Sequence, residues 1–116
     1  MTNSPSGKVQ RIWETVAAVP AGKVASYGQI AGLAGLPGRA RLAGKSLRLA
    51  PSEMKLPWFR IVRSNGQLAF EKGSEQAERQ KGLLQQEGVV VLNNRVKLSQ
   101  FGWQPDLSEM LVGLKY

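Results

Sequence analysis

Ser26-Tyr27-Gly28-Gln29-Ile30-Ala31-Gly32-Leu33-Ala34-Gly35-Leu36-Pro37-Gly38-Arg39-Ala40-Arg41-Leu42-Ala43-Gly44-Lys45-Ser46-Leu47-Arg48-Leu49 contains two short helical signals on either side of a tight break. Ser26 and Gln29 have the spacing of a capping box, in which the Ser oxygen takes a free amide and Gln returns a bond. The helix they start should run through Ala34, where Gly35 is placed to end it. Leu36-Pro37-Gly38 is a connector, and a second helix is expected from Gly38 or Arg39 to about Leu49. Ala40, Ala43, Gly44 and Leu47 make a narrow face of small residues for packing. Arg41, Lys45 and Arg48 fall at i, i+4 and i+7 on another face. Two short helices, a turn and a basic second helix are the layout of a helix-turn-helix.

Outward from this stretch, Gly7 to Val19 reads as an amphipathic helix capped at Ser6. Val9, Ile12, Trp13 and Val16 recur at its buried-face spacing, and Pro20-Ala21-Gly22-Lys23 breaks it. On the C-terminal side, Pro57 to Arg63 reads as extended. Ser64-Asn65-Gly66 is a hairpin turn signal, with a return through Gln67 to Phe70. Ser74 to Glu87 is a polar helix with Leu83 and Leu84 inward, stopped by Gly88. Val89 to Leu92 and Arg95 to Leu98 flank Asn93-Asn94 as a second hairpin. From Phe101 onward the tail has no interpretable pattern.

The chain has 116 residues, 42% hydrophobic and 21% charged, which is the composition of one small globular domain. Its net charge of +8 suits a polyanionic partner. No apolar run approaches the roughly 18 residues that signal a membrane span. The N-terminus lacks a signal-peptide core, so cytoplasm is the default location. There is no cysteine and no histidine. Disulfide scaffolds, zinc fingers, thiol nucleophiles and Ser-His-Asp triads are thereby excluded. No acidic pair stands out as metal-binding, and no cofactor is implied.

Four segments together resemble the DNA-binding and active-site domain of the O6-alkylguanine-DNA alkyltransferases. They are Val19 to Ala31, Ala40-Arg41-Leu42-Ala43-Gly44, Pro57-Trp58-Phe59-Arg60-Ile61-Val62, and Leu83-Leu84-Gln85-Gln86-Glu87-Gly88. The match runs in order from about Lys8 to Gly88 and lacks the family's separate N-terminal domain. The resemblance implies an α+β, mainly helical, winged-helix-like domain with a helix-turn-helix. In the enzymes the third segment is Pro-Cys-His-Arg, and its cysteine accepts the alkyl group. Trp58 stands at that position here, which is similar to the alkyltransferase-like branch. Proteins of that branch bind such lesions without transferring the alkyl group, and are thought to hand them to nucleotide excision repair.

Further roles follow from the resemblance. Arg41 corresponds to the finger that fills the gap left by a flipped base, and Tyr27 to the tyrosine that presses on the target phosphate. Trp58 offers a flat apolar wall but no nucleophile. Arg60, Lys45 and Arg48 complete the expected DNA contacts. Phe59 replaces a histidine, so Glu87, which matches its relay partner, is left with a structural role. Ala50 replaces an asparagine that braces the active-site loop in the enzymes. The resemblance also implies a cation at the pocket lid. There Phe70-Glu71-Lys72 puts Glu71 in its place and leaves Lys72 or Phe70 to contact the lesion.

The expected partner is duplex DNA containing O6-alkylguanine, bound by a monomer. A regulator or nucleoid protein binding undamaged DNA would explain the charge and the basic helix, but not the Pro57–Val62 match. An active alkyltransferase is opposed by the missing cysteine.

Overall fold

A computed structural model describes residues 6–105. Helix α1 (Gly7–Ala18) starts where the Ser6 hydroxyl accepts the Val9 amide. It buries Ile12, Trp13, Thr15 and Val16, the face set by its three- and four-residue spacing. After the Pro20–Lys23 turn comes a two-residue strand, β1 (Ala25–Ser26), then α2 (Tyr27–Leu33) and α3 (Ala40–Leu49). Gly35, at φ +81°, ends α2, and the Leu36 amide donates back to the Ala31 carbonyl. Three long-range bonds fix the helical unit. Trp13 Nε1 donates to the Ser46 carbonyl at 2.7 Å, Arg11 Nε to the Ala34 carbonyl at 2.9 Å, and Gln29 Nε2 to the Trp103 carbonyl at 2.9 Å.

That last bond corrects the expected capping box. Ser26 Oγ does cap the Gln29 amide, but the Gln29 side chain turns away to the C-terminal segment instead of returning to Ser26. The packing face of α3 also differs from the expected one. Ala40 is exposed, whereas Ala43 and Ser46 are buried and Leu42 and Leu47 pack against the core. The helix begins at Ala40, not at Gly38 or Arg39.

The Pro57–Arg63 segment is not one extended strand. Trp58–Arg60 is a turn of 3-10 helix, and only Ile61–Val62 (β2) is extended. β2 pairs in parallel with β1, Ala25 with Ile61 and Ser26 with Val62. Alternation across these short strands divides the core. Ala25 and Ile61 join the apolar cluster under α1, α2 and α3, while Val24 and Val62 join a second one with Leu68, Leu84, Val89, Val91 and Val96. Ser64-Asn65-Gly66 does turn the chain, but the returning segment docks on the other hairpin. The Leu68 amide donates to Asn94 and the Val96 amide to Gly66. Gly66, at φ +88°, is required there, because a Cβ would run into the Val96 carbonyl.

Helix α4 (Glu75–Gln86) buries Ala77, Gln80 and Leu84; Leu83 is only half-buried, and Gly88 at φ +83° follows its end. Strands β3 (Val91–Leu92) and β4 (Arg95–Val96) form the expected hairpin, with Asn93 and Asn94 both left-handed in its turn. A single turn, α5 (Leu98–Phe101), leads into a segment that the sequence left unread. There the Val24 amide donates to Phe101 and the Trp103 amide to Val24, so the segment closes against the edge of β1. The tail beyond Pro105 lies outside the described residues. Among the described residues no helix is long and apolar enough to cross a membrane.

Candidate nucleic-acid interface

A cleft of about 1060 Å³ opens between α3, the first turn of α2, the Trp58 turn and α4. Arg41, Gly44, Lys45, Leu47 and Arg48 line it from α3, and Tyr27 and Gly28 from α2. Trp58 forms one wall, with Arg63, Ser64, Ala69, Phe70, Gln76 and Arg79 around it. Among the described residues its lining includes five cationic side chains (Arg41, Lys45, Arg48, Arg63 and Arg79) and no carboxylate. A second hollow, about 460 Å³, adjoins the start of α3 and shares Arg41 and Lys45. The cleft is therefore built for an anion, and its one indole wall suits a flat apolar group.

Tyr27 stands at the N-terminus of α2, immediately after its Ser26 cap. Burial pushes its phenol pKa up, against the lowering influence of nearby Arg48 and Arg63. The hydroxyl consequently stays protonated at neutral pH and can donate a hydrogen bond. Gly44 faces the Tyr27 ring, and a Cβ there would meet it at 3.8 Å, an ordinary van der Waals contact.

The Trp58 turn is held from beneath by side chains distant in sequence. Buried Gln80 donates through Nε2 to the carbonyls of Phe59, at 3.0 Å, and Ile61, at 3.1 Å. Arg60 Nη2 meets Glu87 Oε2 at 2.5 Å, and Arg60 Nη1 donates to the Val19 carbonyl at 2.7 Å. The Gly22 amide donates to the same carboxylate at 3.1 Å. Arg60's hydrogen bonds hold the Glu87 carboxyl below the usual carboxylate range; burial opposes this and the Gly22 amide adds to it. One ion pair thus ties the Trp58 turn, the α1–β1 loop and the end of α4 together. Glu87 has the structural role expected of it once the histidine is gone.

The wall itself is a small aromatic group. The Trp58 ring meets Phe59 edge-on at 5.9 Å and Phe70 edge-on at 6.3 Å. Arg79 Cζ lies 5.9 Å from the Trp58 ring centroid, within cation–π range. The Phe70 segment is braced by the second hairpin, where Asn94 Nδ2 donates to the Phe70 carbonyl at 2.9 Å.

Of the expected contact residues, Tyr27, Arg41, Lys45, Arg48, Trp58 and Phe70 are brought together at the cleft. Arg60 and Lys72 are not. Arg60 is drawn beneath the turn by Glu87, and Lys72 Nζ donates to Asn93 Oδ1 at 2.6 Å, away from Trp58. Sequence reasoning missed Arg63, Ser64, Gln76 and Arg79 in the lining and Gln80 below it. Only Arg63 carried a usable signal, as a cation directly after the Pro57–Val62 motif.

Residues 8–89 match the family model described as the 6-O-methylguanine DNA methyltransferase, DNA binding domain. The chain belongs to that family. The DNA base-flipping protein of Vibrio parahaemolyticus is 42% identical over 96 residues, which cover 82% of this chain and 94% of that one. Alkyltransferase-like protein 1 of Schizosaccharomyces pombe is 31% identical over 100 residues, covering 82% and 93%. The crystal structure of S. pombe Atl1 with damaged DNA containing O6-carboxymethylguanine superimposes with a TM-score of 0.78 at 29% identity, covering 88% of this chain and 99% of that one. The mainly helical alkyltransferase DNA-binding fold is thus shared. The chain has no cysteine, and Trp58 follows the proline at the position where the resemblance places the acceptor thiol of the enzymes, so it carries no thiol to take up an alkyl group.

Proposed function

We propose that this protein recognises O6-alkylguanine in duplex DNA by taking the damaged nucleotide into the cleft beside Trp58, and does not repair it. The observation that carries the reading is an indole wall in the position of the reactive thiol, inside a cleft that the described residues line with cations and no carboxylate. Flipping a nucleotide costs roughly a few kcal/mol, and less when the base already pairs badly, as O6-alkylguanine does. Arg41, exposed near the start of α3, fills the vacated place in the stack. Tyr27 donates to the phosphate of the rotated nucleotide, and Lys45, Arg48 and Arg63 neutralise its neighbours. Trp58 and Phe70 receive the base and its substituent. The protein works as a cytoplasmic monomer, and its complex is the signal passed to nucleotide excision repair proteins. Relatives that are named for base flipping, or crystallised with damaged DNA, support the first step.

The test is fluorescence anisotropy on one duplex with and without O6-methylguanine. Tighter binding to the methylated duplex is expected. Equal affinity would mean a plain helix-turn-helix DNA binder.

A further inference from the structure

We propose that Arg79 makes the cleft selective for O6-alkylguanines whose substituent carries a negative charge. This rests on the lesion-recognition reading above and adds to it the chemical class of adduct. Arg79 belongs to α4, not to the basic helix, yet its guanidinium is the cation against the Trp58 ring, 5.9 Å from the centroid. Arg41, Lys45 and Arg48 approach the cleft from α3, where the proposed function gives Arg41 to the base stack and Lys45 and Arg48 to phosphates. Glu71, Glu75 and Glu78 are exposed and do not line the cleft. Among the described residues, the one ion pair is Arg60 with Glu87, and the contact shown for Arg79 is the Trp58 face.

A guanine lying along Trp58 therefore carries its O6 substituent between an apolar edge, Phe70, and Arg79, a cation with no anionic partner among the described residues. A methyl group gains contact with the aromatic rings but leaves the guanidinium unpaired. A carboxymethyl group reaches further and ends in a carboxylate. Such a group takes paired, charge-assisted hydrogen bonds from a planar guanidinium. Lys72, which the sequence offered for the lid, does not line the cleft, and its ammonium lacks the planar fork that pairs with a carboxylate.

The experiment compares four otherwise identical duplexes in equilibrium binding at one salt concentration. The target base is guanine, O6-methylguanine, O6-carboxymethylguanine or its neutral isostere O6-carbamoylmethylguanine. Wild type should bind the carboxymethyl duplex roughly tenfold more tightly than the carbamoylmethyl one, the ratio typical of a hydrogen bond to a charged group. Arg79→Gln should bring that ratio towards unity while keeping the preference for O6-methylguanine over guanine. A wild-type ratio near unity overturns the inference, as does a ratio that survives in Arg79→Gln. Loss of the methylguanine preference in the wild type is a separate result. It removes the lesion-recognition reading, and this inference with it.

Discussion

The Glu87 carboxylate accepts from the Arg60 guanidinium and from the Gly22 amide, and so clamps the Trp58 turn from beneath. Glu87→Gln should therefore cost about 2 kcal/mol, the scale of lost charged hydrogen bonds at a partly buried site. Because the folded-state pKa of Glu87 is depressed, its contribution is complete above the unfolded value of 4.5 and is lost as pH falls through the folded one. Urea unfolding should show wild type losing more stability than Glu87→Gln as pH drops below that value; parallel pH profiles would contradict the clamp. The same clamp bears on attempts to restore chemistry. Wild type should take up no methyl group from O6-methylguanine DNA, and Trp58→Cys should take up little. An unperturbed thiol of pKa ~8.5 is only a few per cent thiolate at neutral pH. Trp58→Cys with Phe59→His should do better, although the new imidazole must compete with Arg60 for Glu87. Intact-protein mass spectrometry reads each case as one added methyl group.

Helix α3 divides its work between two faces. Ala43 and Ser46 go inward, and Ser46 receives the buried Trp13 indole, so the exposed cations are carried on a helix anchored to α1. Arg41, close to the helix start, lines the cleft together with Lys45 and Arg48; the finger role proposed for it sets it apart from those two. Arg41→Ala should reduce the preference for lesion over undamaged duplex. Lys45→Ala and Arg48→Ala should weaken binding to both duplexes alike, as loss of phosphate contacts does. An equal loss across all three, with the lesion preference intact, would falsify the finger assignment.

Across the cleft as a unit, Arg60 is neutralised by Glu87 while Lys45, Arg48 and Arg63 remain for phosphates. Affinity should then fall with salt at a log–log slope of roughly −3 or steeper, about −0.9 for each phosphate neutralised. The ratio of lesion to undamaged binding should change little over the same series, since both duplexes present the same phosphates. Anisotropy titrations across a salt range measure both quantities. A preference that vanishes with rising salt would place selectivity in the backbone contacts instead of the Trp58 wall.

The features legible in the sequence are the ones made locally. Ser6 and Ser26 each cap an amide three residues on, and Gly35 and Gly88 sit at helix ends in conformations that favour glycine. The missing thiol at Trp58 needed no coordinates either. Long-range partners were another matter. Arg60 lies within the Pro57–Val62 motif and Arg63 directly after it, yet one is paired beneath the turn and the other lines the cleft. Arg60 meets Glu87 across 27 residues of chain, and Gln29 meets Trp103 across 74. Arg79 reads in the sequence as one more solvated charge on a polar helix, but the packing of α4 beneath the Trp58 turn brings it to the indole. A helix cap is decided by atoms a few bonds away, whereas the partner of a long cationic side chain is whichever group the folded chain brings within hydrogen-bonding distance, and only the tertiary structure settles that.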